Sequence, residues 1–128
     1  MFSHMTVGSN DIARAKAFYD NMAKPLGLVC HLEFPDGIGY GPQGAAKPQL
    51  WIVKPLDKNA ATAGNGITIG LNAETRPAVD AAYAAAIANG GKDEGKPGLR
   101  PHYHANYYGA YVRDPDGNKV CIVCHKPA

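Results

Sequence analysis

The residues with the most chemistry gather near the end of the chain. Arg100 to Tyr111, RPHYHANYYGAY, joins a guanidinium, two imidazoles and four tyrosines. Arg100 suits a carboxylate or a phosphate, because its planar fork donates two parallel hydrogen bonds. Tyr103, Tyr107 or Tyr108 offers a face for a planar ligand, and the same rings serve equally as the rim of a cavity. Further on, Cys121 and Cys124 spell C-x-x-C. A strand turns residues three apart to opposite faces, so the two thiols diverge: Cys121 is expected to line a cavity and Cys124 to fill a core. A reactive thiolate at Cys121 would need a cation beside it, and His4 is the candidate. Trp51, the only tryptophan, is either a ligand platform or packing. Glu33 on a strand is a candidate general base, against the commoner reading of a solvated carboxylate.

Several function classes drop out. Net charge is +2 and the 13 Lys and Arg are scattered, so no basic stripe marks a nucleic-acid partner. No apolar run approaches a membrane span, and MFSHMTVGSND lacks the basic and apolar regions of a signal peptide. Three cysteines without framework spacing fit a reducing cytoplasm. GNGITIG is followed by a strand rather than a helix, so it is no dinucleotide fingerprint. GPQGAAKP misses the phosphate-loop spacing, and no G-x-S-x-G supports serine hydrolysis.

Two similar segments must position these groups. HMTVGSNDIARAKAFYDNMAKPLG, from His4, and TIGLNAETRPAVDAAYAAAIANGG, from Thr68, align at a shift of 64, which pairs Met5 with Ile69, Tyr19 with Tyr83 and Gly27 with Gly91. Each reads as a strand, then a helix, then strands. In the first, Ser9 or Asn10 caps a helix with apolar positions Ile12, Ala15, Phe18, Tyr19 and Met22, ended by Pro25 and Gly27. LVCHLEF and GIGYG flank a Pro-Asp-Gly hairpin, and QLWIV is a further strand. In the second, Thr75 caps a helix with Pro77 in its first turn. A polar stretch to Arg100 is expected as a short edge strand and loop, and YYGAYVR and KVCIVCH form a hairpin around DPDG. The expectation is an α+β domain over residues 1–128, with unit one about 1–55, a linker about 56–65 and unit two about 66–128. The two βαβββ units would face a shared concave cavity.

SHMTVGSNDIARAKAFYD, GNGITIG, PGLRPHYH and YYGAYVRDPDGNKV together resemble the vicinal oxygen chelate superfamily of glyoxalases, bleomycin resistance proteins and extradiol dioxygenases. The resemblance spans nearly the whole chain and implies a concave open barrel, a homodimer and a divalent metal in the cavity. Of the family's metal-ligand positions, it places His4 at the first strand, Thr68 at the equivalent strand, Cys121 where the last strand usually offers glutamate, and Leu50 or Trp51 in the fourth strand. His4, Cys121 and His102 or His104 make an alternative set that zinc accepts. The function implied is binding of a small organic molecule, with His4, Trp51, Thr68, Arg100, His102, Tyr103, Tyr108 and Cys121 lining the pocket and the usual metal site degenerate. Two alternatives stay open: a metal-dependent lyase or dioxygenase using His4 with substitute ligands, and a protein that sequesters a drug or metabolite without turnover.

Overall fold

A computed structural model describes residues 1–128. The first unit runs β1 (Met5–Gly8), α1 (Ile12–Ala23), β2 (Leu28–Phe34), β3 (Gly37–Pro42) and β4 (Leu50–Val53). The second runs β5 (Ile69–Asn72), α2 (Arg76–Ala88), β6 (Lys92–Leu99), β7 (Tyr108–Arg113) and β8 (Lys119–Cys124). The sheets are ordered β1-β4-β3-β2 and β5-β8-β7-β6. In each, the first strand pairs parallel with the fourth and the other pairs are antiparallel. The helix supplies the crossover that a parallel pair demands, and tight connections bring the chain back. Met5 to Ile69 and Ile12 to Arg76 reproduce the 64-residue shift, so the repeat is structural. The result is α+β, two βαβββ units in a concave barrel that stays open because no backbone ladder joins β1 to β5.

Burial alternates along the strands and separates two faces. Ile38, Tyr40, Leu50 and Ile52 of the first sheet and Ala110, Val112, Val120, Ile122 and Cys124 of the second share one core with Phe18, Met22, Val79, Ala82 and Ala86 of the helices. The intervening residues form the opposite face: the row Leu32–Gly39–Trp51–Thr6 in one sheet and Gly95–Tyr111–Cys121–Gly70 in the other. The helices touch each other as well. A Cβ at Gly91 would come within 2.7 Å of the Phe18 ring, so glycine permits this approach.

The cap of α1 is Asp11, whose carboxylate accepts from the Arg14 N–H at 3.0 Å, and not Ser9 or Asn10. Ser9 is fully buried and takes the Asp11 N–H instead, while the Asn10 side chain is bonded to the backbone of Ala61 in the linker. Thr75 caps α2 as expected. The polar stretch before Arg100 is a full eight-residue edge strand with two register shifts, where Lys92, Asp93, Glu94 and Lys96 keep the unpaired edge charged.

The DPDG turn is a clamp between the units. Asp114, 3% exposed, accepts the Tyr19 hydroxyl of α1 at 2.6 Å and the backbone N–H groups of Asp116 and Asn118. Asn118 donates to the Gly8 carbonyl at 2.9 Å, and Asp116 accepts from the Asn10 N–H and the Arg14 guanidinium. Gly117, with φ of 89°, supplies the left-handed position that the turn needs. No helix is long and apolar enough to cross a membrane.

Candidate functional site

Across the open face of the second sheet, the chain after Arg100 folds back over β7. Gly109 leaves room for this: a Cβ there would meet the Tyr107 ring at 2.9 Å. The Tyr107 hydroxyl bonds the Tyr111 hydroxyl at 2.7 Å and the Cys121 thiol at 3.3 Å. Tyr103 lies 4.8 Å from Tyr107 between ring centroids, and His102 lies 4.3 Å from Tyr103. His104 and His125 share a hydrogen bond of 2.9 Å at the rim, and His125 meets Tyr107 edge-on. Arg100 and Lys119 flank the Tyr111 ring, at 5.9 and 5.4 Å.

Electrostatically the cluster is neutral at its centre and cationic at its edge. Burial, and then the bond to Cys121, push the Tyr107 phenol above its ordinary value. Burial and the bond to Tyr107 push Tyr111 well up. Both therefore keep their protons at neutral pH and act as donors. The hydrogen-bond partner of Cys121 is the Tyr107 phenol and not His4. Cys124 lies in the core on the opposite face, as its spacing requires.

His4 lies in a cavity of about 440 Å³ that both units line, with Gln49, Tyr40, Gly70, Asn72 and Glu74 among its walls. Its Nδ1 is bonded to the Ser3 hydroxyl at 2.6 Å. Gly70, one of the cavity's walls, is the register partner of Cys121 on the floor of the second sheet. A Cβ at Gly70 would touch nothing, so that floor is open. Trp51 packs against Phe34 at 6.0 Å and over Gly39, where a Cβ would collide with the indole. Thr68 is exposed immediately before β5. A larger cavity, about 620 Å³, lies between the end of β4 and the linker and is lined by none of the candidate residues.

Register settles which fourth-strand residue is equivalent to Cys121. Thr6 pairs with Trp51 as Gly70 pairs with Cys121, so the position is Trp51 and not Leu50. His4, Trp51, Thr68 and Cys121 are then the four equivalent positions. An indole is not a metal ligand, and nowhere do three His, Cys, Asp or Glu side chains converge as a metal-binding group. Of the four positions, only His4 and Cys121 carry side chains that a divalent metal takes.

The structure brings Arg100, His102, Tyr103 and Cys121 into one neighbourhood. Tyr108 does not join them: it points to the helix side, where its hydroxyl donates to Asp80 of α2 at 2.7 Å. Glu33 is also on the helix side, 3.6 Å from Lys16. Lys119 and Tyr111 complete the cluster; Tyr111 belongs to the stretch singled out from the sequence without a role of its own, and Lys119 is not among the residues picked out there. The alternation Gly109, Tyr111 and Lys119, Cys121 held the signal, because residues of one parity share a strand face.

A search of curated proteins returned no match. Among solved structures, a glyoxalase/bleomycin resistance protein from Albidiferax ferrireducens T118 is 39% identical, with 99% of each chain covered and a TM-score of 0.87. A glyoxalase-related enzyme from Fulvimarina pelagi (21% identity, 97% of this chain and 87% of that one, TM-score 0.73) shares the fold. So does a lactoylglutathione lyase from Agrobacterium tumefaciens (22%, 97% and 92%, TM-score 0.64). The family model described as Glyoxalase/Bleomycin resistance protein/Dioxygenase superfamily matches residues 1–122. With that match and a relative of the same length and fold, the chain belongs to the Glyoxalase/Bleomycin resistance protein/Dioxygenase superfamily.

Proposed function

We propose that this chain binds a small organic molecule on the concave face of its barrel and that the family's divalent-metal site has degenerated. The observation that carries the reading is the set His4, Trp51, Thr68 and Cys121 at the four equivalent positions. One imidazole and one phenol-bonded thiol remain where a metal needs three or four convergent donors. What the face offers instead is aromatic surface, hydrogen-bond donors and cations, the usual furnishing of a small-molecule site.

The reading extends to a homodimer. Val29, Leu32 and Phe34 of β2, at 37%, 51% and 46% exposed, form an apolar edge of the first sheet that suits a second copy. A reducing, cytoplasmic location accords with three free thiols.

The test is metal analysis of protein made in metal-supplemented medium, together with thermal melting in the presence of candidate ligands. The expected result is no stoichiometric metal, melting unaffected by chelator, and a rise in melting temperature with a small organic ligand. Stoichiometric metal that is lost in both His4→Ala and Cys121→Ser would overturn the degenerate-site reading and favour a metal-dependent lyase or dioxygenase.

A further inference from the structure

Two cations on the face of the second sheet form no ion pair. The ion pairs of the molecule take up Arg14, Lys16, Lys54, Arg113 and Lys126, but neither Arg100 nor Lys119. Glu94, whose charge Lys119 helps to stabilise, is already bonded to Arg113 at 2.8 Å.

Arg100 is also held in place. One guanidinium nitrogen donates to the Lys96 carbonyl at 2.8 Å. The group lies over Gly95 and Gly98, where a Cβ would come within 3.3 and 3.2 Å of its nitrogens. An arginine fixed by backbone and left without an anion is prepared to receive one, since little rotamer freedom remains to be lost on binding.

Beside it lie the groups an oxyanion and a flat ring require. The Tyr107 and Tyr111 phenols lie hydrogen-bonded together on the same sheet face, and Tyr103, 59% exposed, extends the Tyr107 ring into an aromatic shelf.

We propose that this cluster binds a planar, conjugated carboxylic acid, with the carboxylate on the Arg100 guanidinium, Lys119 adding to the local positive charge, and the π-system against Tyr107 and Tyr103. The proposal rests on the small-molecule reading above and names its ligand class. A bare inorganic anion would leave the shelf unused, and a neutral ring would leave both cations unpaired.

The experiment is a calorimetric titration of the full chain with trans-cinnamate and with its neutral isostere, trans-cinnamamide. Cinnamate is expected to bind at least about tenfold more tightly than the amide, and Arg100→Gln to remove at least about tenfold of that affinity, as loss of a charge-assisted hydrogen bond does. Lys119→Gln is expected to act in the same direction, and added salt to weaken cinnamate alone. Equal binding of acid and amide overturns the proposal, as does unchanged cinnamate affinity in Arg100→Gln with an unaltered melting curve. A screen of neutral planar fragments, mapped by the NMR signals of Gly70 and Tyr111, separates the two levels. Fragments that bind there without preference for a charge sink the acid class and keep the small-molecule site. If neither acid nor fragment binds, both fall.

Discussion

At the scale of residues, the Tyr19 phenol is a bond between units: 1% exposed, it donates to Asp114 across the molecule. Burial first, and then the Asp114 carboxylate, raise its pKa well above the ordinary 10.0. Above that pH the unfolded chain releases a proton that the folded chain keeps. The folded state then binds more protons, and stability must fall as pH rises. The slope is about 1.4 kcal/mol per pH unit for this one phenol. Tyr40, buried and bonded to Asp20 at 2.7 Å, is raised mainly by burial and acts in the same direction. We expect the melting temperature to fall steeply from pH 10 to 11 and Tyr19→Phe to flatten that fall. An equal slope in the variant would show that ionisation of Tyr19 does not drive it.

At the scale of elements, glycines mark where a neighbour comes close. At Gly91, just before β6, an added Cβ would sit 2.7 Å from both the Ala86 carbonyl oxygen and the Phe18 ring, where α2 ends against α1. Gly91→Ala should therefore cost about 1–3 kcal/mol, the ordinary penalty of overpacking. Gly70→Ala, on the open floor of the second sheet, should stay within about 0.5 kcal/mol of the parent. Urea denaturation of the two variants reads the difference directly; similar midpoints would mean that the helices are not tightly packed at Gly91. The elements themselves were legible. Period-2 and helical patterns placed the strands and helices, and the 64-residue shift reappears in β5 and α2. Less legible was β6, whose polar, glycine-bearing sequence lacks strand alternation because it is an edge whose outward charges prevent pairing.

At the scale of the whole molecule, the apolar edge formed by Val29, Leu32 and Phe34 leads to an expectation about assembly. Sedimentation of the wild-type chain should give a dimer, and Phe34→Glu a monomer with its fold retained. A wild-type monomer at the same concentration would dismiss this edge as the dimer contact. The sequence by itself determined the two-unit α+β fold, the divergence of Cys121 from Cys124, and the candidacy of Arg100, His102 and Tyr103, because periodicity and turn chemistry are local. Tertiary structure decided the rest. Strand register made Trp51 the counterpart of Cys121, helix packing took Tyr108 away to Asp80, and the return of the chain over Gly109 put Tyr107 on the Cys121 thiol. Each of these joins residues far apart in the chain or chooses between two faces of one strand. Such choices are made by long-range pairing and burial, which no local pattern records.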